Sequence, residues 1–192
     1  MNKNSGVEVT YRFLVVIGLL TFSLSPALVR AEQATSGVRY ASPGGLTSGA
    51  CDSWPNACEL QTALGLAAAG EEVWAQQGVY KPTSSTDRTI SFALKNGVAI
   101  YGGFAGAETA REQRDWGTHV TVLSGDIDNN DLTDPAGVVT DTVNITGANS
   151  YHVVTSSGVS GSAALDGFFI TAGSADGEGA FSAAVAAQPD PE

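Results

Sequence analysis

Gly70 to Gly106 reads GEEVWAQQGVYKPTSSTDRTISFALKNGVAIYGGFAG, and this stretch decides the fold. It holds three short extended runs, Glu72 to Ala75, Thr89 to Leu94 and Val98 to Phe104. Gly70, Gly78, Lys81-Pro82, Asn96-Gly97 and Gly102-Gly103 break them, so the runs are too short and too glycine-punctuated for helices and read as strands that turn a corner every few residues.

The same pattern continues outward in both directions. Upstream, Val38 to Ala41 is a first strand, closed by Ser42, Pro43, Gly44 and Gly45 as turn residues. Downstream, the extended runs are Val120 to Leu123, Val143 to Ile145, Tyr151 to Thr155 and Ala164 to Thr171. Asn96-Gly97 and Asp166-Gly167 are the only two-residue hairpin signals beside them. A β-sandwich would show cleaner alternation and more regular turn spacing, yet spacing alone leaves it level with a solenoid. The recurrence of aliphatics favours the solenoid: Val73 is followed by Val98 after 25 residues, Val120 after 22 more and Val153 after 33 more.

One helix interrupts the strands, over Ala57 to Ala69. Asn56 can cap it with Glu59 three positions on, Leu60, Leu64, Ala67 and Ala68 share a face that Leu66 partly joins, and Gly70 ends it. A helix this short needs packing to exist.

The ends of the chain differ from its middle. Lys3 and Arg12 precede an apolar run from Phe13 to Leu24, and Val29-Arg30-Ala31 offers a small-residue cut, so residues 1–31 read as a secretory signal peptide cleaved after Ala31. A retained anchor is the rival, but the run is short of the roughly 20 apolar residues of a span and Pro26 comes early. Residues 32–56 are then an opening strand and loop, 57–69 a helix, 70–172 the strand series, and 173–192 an Ala- and Pro-rich tail in which Phe181 and Val185 allow a weak helical turn.

Charge excludes some partners. The 192 residues carry a formal charge of -11 with 9 Lys plus Arg and 23 Gly. Loss of Lys3, Arg12, Arg30 and Glu8 with the leader leaves 6 basic and 19 acidic residues, or -13. Such a surface does not suit nucleic acid, which needs cations to replace its counterions. No second apolar segment is long enough for a membrane span after signal cleavage, so the expected product is secreted or displayed at the cell surface.

Cys51 and Cys58 stand seven positions apart. In an oxidising compartment they read as a small-loop disulfide, with two free thiols as the alternative; a metal site lacks nearby ligands, since His119 and His152 are far off in sequence.

Placed in order, these words resemble a known class. Ser53-Trp54-Pro55-Asn56-Ala57, Leu60-Gln61-Thr62-Ala63-Leu64, Gly70-Glu71-Glu72-Val73-Trp74-Ala75 and Gly78-Val79-Tyr80-Lys81-Pro82 resemble the opening of bacterial secreted proteins with a right-handed parallel β-helix, the pectate-lyase-like architecture. Tyr101-Gly102-Gly103-Phe104-Ala105-Gly106, Arg114-Asp115-Trp116, Leu123-Ser124-Gly125-Asp126, Tyr151-His152-Val153-Val154 and Leu165-Asp166-Gly167-Phe168 are similar to repeat-containing or polymorphic outer membrane proteins. The resemblance covers about residues 38 to 177. It implies an all-β single-stranded solenoid of about five coils, capped by the 57–69 helix, with Val73, Val98, Ile100, Leu123, Val153 and Ile170 pointing inward. Relatives of that kind carry more coils, so the chain is expected to be a fragment of a larger surface protein.

Chemistry is harder to find. Asp126, Asp128, Asn130, Asp131 and Asp134 form the densest oxygen cluster, a candidate calcium loop. The motif breaks where Asp131 replaces its glycine and Gly137 its bidentate glutamate, so a solvated loop is the competing reading. Asp126, Asp128 and Asp166 on successive coils, with Arg88, Arg111 or Arg114 to neutralise a uronate, would make a lyase or hydrolase groove; Asp166-Gly167 and Asp115 read more simply as turns. Trp54 and Trp74 read as packing under the cap. The reading favoured is a non-enzymatic secreted or cell-surface domain with a scaffold or glycan- or protein-binding role, the partner being an extracellular polysaccharide or a surface protein. A polysaccharide lyase or glycoside hydrolase whose groove lies mostly outside this chain is the alternative.

Overall fold

The computed structural model describes residues 37–159 and 161–175. The expected leader, its cleavage site and the weak helical turn near Phe181 lie outside the described residues.

The architecture is all-β with parallel sheets and one helix near the N-terminal side, a solenoid-like arrangement. Nine strands are described: β1 (Val38–Leu46), β2 (Glu72–Gln76), β3 (Gly78–Tyr80), β4 (Phe92–Ala93), β5 (Ala99–Phe104), β6 (Thr121–Ser124), β7 (Val154–Thr155), β8 (Ala164–Asp166) and β9 (Phe169–Thr171). The helix α1 (Leu60–Leu66) lies between β1 and β2. Three sheets form, in the orders β1-β2-β5-β8, β3-β6-β9 and β4-β7. The chain therefore visits them in the same sequence twice over, β2-β3-β4 then β5-β6-β7, and begins again with β8-β9. Every strand pair is parallel.

Register explains the aliphatic spacing. Val73 pairs with Ile100 and Ile100 with Leu165, while Leu123 pairs with Ile170 in another sheet. Val73, Val98, Ile100, Leu123 and Val153 join one buried cluster, and Ile170 packs against it. The interval from Val98 to Val120 is thus a corner between two sheets and not the length of a coil, and among the described residues the largest sheet holds four strands, one for each pass.

Corners require particular backbone. A Cβ on Gly102 would come within 2.4 Å of the Gly167 carbonyl oxygen, because two successive passes turn there in close contact. Gly103 beside it has φ +91, which a side chain disfavours, and its space is filled by the Trp116 main chain. Gly167, at φ 79, splits the run Ala164 to Thr171 into β8 and β9.

Several local expectations change. The helix covers only Leu60–Leu66; it starts at Glu59 without a side-chain cap, and Asn56 instead ends a 3-10 turn and bonds Asp52 at 3.2 Å. Leu60, Ala63, Leu64 and Ala67 are its buried face, whereas Ala68 and Leu66 are exposed. Val143 to Ile145 is no strand but part of a 3-10 turn (Thr142–Asn144), whose start the Asp141 side chain caps by accepting the Val143 N–H. β1 runs on through Pro43 to Leu46 because the segment around Cys58 pairs beside it, with Leu46 donating to Ala57 O at 2.9 Å and accepting from Glu59 N at 2.9 Å. Proline is tolerated there, in an edge strand. Asn96-Gly97 makes no hairpin: Gly97, at φ 73, turns the chain into β5.

The disulfide is formed. Cys51 and Cys58 are joined at a Cα–Cα distance of 5.3 Å, and both are fully buried. The link fixes the strip that lies along β1, since Tyr40 N–H donates to Cys51 O at 2.7 Å.

Candidate functional site

The two places where polar and aromatic groups gather are the outer face of the four-stranded sheet and the loop after β6. On the sheet, alternation turns Val73 and Ile100 inward, so their neighbours face out. Tyr40, Trp74, Tyr101 and Asp166 then form one row across four strands. Trp74 stacks on Phe104 at 4.8 Å, and Trp54 lies 4.7 Å from Tyr40 and 5.6 Å from Phe104. Trp54 and Trp74 therefore pack on the outside of the sheet, away from the α1-covered core where the sequence reading put them.

The open half of the row is charged. Arg111 and Arg114 lie over the Tyr101 ring, at 4.8 and 5.0 Å from its centroid. Arg111 donates to Glu72 at 2.8 Å, and Arg114 makes a two-pronged contact with Asp166 at 3.0 Å on each oxygen. Each carboxylate is thus already matched to a guanidinium. A glycosidase or lyase would need one of them free to take or give a proton.

The loop after β6 has the same character. Asp126 is buried and salt-bridged to Lys81 at 3.2 Å, while its other oxygen accepts from Asn130 N at 3.1 Å. Asp128 accepts from Asn130 Nδ2 at 2.9 Å and Ala148 N at 2.8 Å. Asp131 ties the two ends of the loop, accepting from Thr146 N and from Asn149 Nδ2, both at 2.6 Å. Asp134 closes its own turn by accepting from Ala136 N and Val138 N, both at 2.9 Å. The carboxylates are turned toward N–H groups and a lysine, and among the described residues no group of three His, Cys, Asp or Glu side chains converges as a metal site. The five residues are neighbours in one loop, and at least one side-chain oxygen of each accepts a hydrogen bond within it.

The other singled-out groups do not meet. Asp126 follows β6 and Asp166 ends β8, in different sheets, so they do not line one groove. Arg88 lies 4.4 Å from the Tyr151 ring centroid and donates to Asn149 O at 2.6 Å. His119 bonds Gln77 at 2.9 Å through Nδ1, and His152 is exposed.

Two ionised groups escaped the sequence reading. Glu71 is buried beside Arg39, which it bonds at 2.8 and 3.2 Å; the Arg39 hydrogen bond leads in holding its carboxyl below the ordinary range, against the opposing effect of burial. Glu108 is wrapped by the N–H groups of Ala105, Gly106 and Ala107 at 2.6, 3.0 and 2.9 Å, which outweigh its burial and lower its pKa as well. Gly70-Glu71 and Gly106-Ala107-Glu108 stand at turns in the sequence, but nothing local marks their long-range or loop-closing roles.

No protein-family profile, no curated protein and no solved structure matches the chain. Among the described residues no helix is long and apolar enough to cross a membrane.

Proposed function

We propose that this chain is a non-catalytic, secreted or surface-displayed right-handed parallel β-helix domain, with a scaffold role and a binding surface for an extracellular glycan or protein. The observation that carries the reading is the repeated visiting of three parallel sheets in one order around a single aliphatic core. Stacks of this kind present long, regular outer faces on which loops of variable length can be hung without disturbing the core. The loop from β6 to β7 is the longest such insertion, and its internal hydrogen bonds give it a fixed shape. Pairing of Arg111 with Glu72 and of Arg114 with Asp166 supports recognition over proton transfer.

The test is a combined binding and turnover assay on a panel of neutral polysaccharides and polyuronates. Affinity electrophoresis should show retardation on at least one of them, with no new reducing ends and no unsaturated uronate. Product that accumulates with wild-type protein and disappears in Asp166→Asn would overturn the reading in favour of a lyase or hydrolase.

A further inference from the structure

The chain has three tryptophans, and the structure gives them two kinds of surroundings. Trp54 donates its indole N–H to Glu108 O at 2.9 Å and Trp74 to Glu72 at 2.7 Å, and both rings pack on other aromatic rings. Trp116 does neither. Among the described residues its indole finds no hydrogen bond and no aromatic neighbour, and the residue is 39% exposed.

The exposed ring is rigidly mounted. Asp115 N–H donates to Gly103 O at 2.8 Å, and the Asp115 carboxylate accepts from Gly117 N, Thr118 N and Thr118 Oγ1 at 3.1, 3.0 and 2.8 Å. Trp116 therefore rides a turn that the preceding aspartate closes. Gly103 is its seat: a Cβ there would lie 2.7 Å from Trp116 N and Cα and 2.9 Å from its Cβ, so the turn is fixed on β5 close to the main chain. A ring that neither fills the core nor anchors its own turn leaves its surface open to a ligand.

What adjoins that turn is planar and polar. Arg114, two residues back, reaches Gly102 O at 3.4 Å and holds both Asp166 oxygens at 3.0 Å, which fixes a guanidinium and a carboxylate as one pair. The Asp166 side chain is still 50% exposed, so its oxygens can accept further hydrogen bonds. An apolar ring beside a fixed donor and acceptor suits a pyranose, whose C–H face is apolar and whose rim carries hydroxyls that both donate and accept. Charge then narrows the class. Glu72, Glu112, Asp115 and Asp166 stand here against Arg111 and Arg114, and both guanidiniums are already matched, Arg111 to Glu72 at 2.8 Å and Arg114 to Asp166. A polyuronate would add negative charge to this face of a chain whose formal charge is -11, whereas a neutral sugar adds none.

We propose that Trp116 and the Arg114–Asp166 pair form a subsite for one sugar ring of a neutral glycan. This rests on the binding role proposed above and gives it a ligand class and a place.

Affinity electrophoresis of the full chain, combined with acrylamide quenching of its tryptophan fluorescence, tests this with a soluble β-glucan, a mannan and a polygalacturonate as probes. The expected result is retardation by a neutral probe and none by polygalacturonate. The bound neutral probe should also shield the fluorescence from acrylamide, because Trp116 is the exposed tryptophan of the three. Trp116→Ala should weaken the retardation about tenfold and abolish the shielding, and Trp116→Phe should keep most of the retardation. Leu132→Ala, which removes a more exposed apolar side chain on the loop after β6, should change neither. Retardation that Trp116→Ala leaves intact, a preference for polygalacturonate, or wild-type fluorescence that a bound glycan does not shield would each overturn the subsite while leaving a glycan-binding role standing. Retardation by none of the probes would overturn the subsite and the glycan reading together.

Discussion

Removing the disulfide gives the sharpest test of how the stack is held at its capped end. Cys51 and Cys58 are seven positions apart, and the loop-closure relation assigns a loop of this length about 2.4 kcal/mol at 25 °C. For a domain of this size, about 2–4 °C of Tm accompanies each kcal/mol, so the reduced protein should melt about 5–10 °C lower. The double variant Cys51→Ala/Cys58→Ala should fall further, because both sulfurs are fully buried and their removal leaves a small void. Cys51 has φ 52, a value that alanine tolerates no better than cysteine, so the backbone contribution cancels between the two. The loss should also be local. Amides of Tyr40 and Leu46, which bond Cys51 O and Ala57 O, should exchange faster, while those of β5 and β6 keep their protection. Differential scanning calorimetry and hydrogen exchange read both parts. A Tm shift under about 2 °C, or an equal loss of protection in β5 and β6, would refute the assignment of this link to one edge of the stack.

Three further outcomes are expected. Gly102→Ala should destabilise by about 1–3 kcal/mol, read by urea titration, because its Cβ would press on the Gly167 carbonyl; a neutral result would mean that the corner can relax. Glu71 has a folded pKa below the ordinary glutamate value of about 4.3, so its contribution is complete above that value and disappears as pH falls through the depressed one. Glu71→Gln should therefore be less stable than wild type at neutral pH and flatten the acid limb of a Tm-against-pH curve; parallel curves would count against the Arg39 pairing. Millimolar calcium should leave Tm unchanged, since the loop carboxylates already accept N–H groups. A rise matching the roughly 2.7 kcal/mol of a hundredfold ligand excess would restore the loop as a calcium site.

What the sequence disclosed was the local punctuation. Gly102-Gly103 announces a corner because no larger residue fits there, and the inward aliphatics Val73, Val98, Ile100, Leu123 and Val153 are legible because burial leaves no other composition open to them. The partners were not legible. β1 continues past Pro43 only because a strip from another part of the chain lies beside it, and Val120 was counted as a coil marker although its neighbourhood belongs to a different sheet. Val143 and Ile145 have strand-forming side chains, but the Asp141 cap bends the backbone first. At the candidate site the residue types were visible and their state was not. An aspartate that binds a cation and one that accepts a backbone N–H look alike in a sequence, and only the positions of Thr146, Ala148 and Lys81 separate them.

The parallel register carries a consequence in time. Glu72 pairs with Ala99, 27 positions on, and Ala99 with Ala164, 65 positions on. With every strand waiting for a partner that far along the chain, no hairpin can form early as a seed, and loop-closure entropy must be met before any ladder rewards it. Such a polypeptide should fold slowly, over milliseconds to seconds, and spend that interval with its strand edges unpaired.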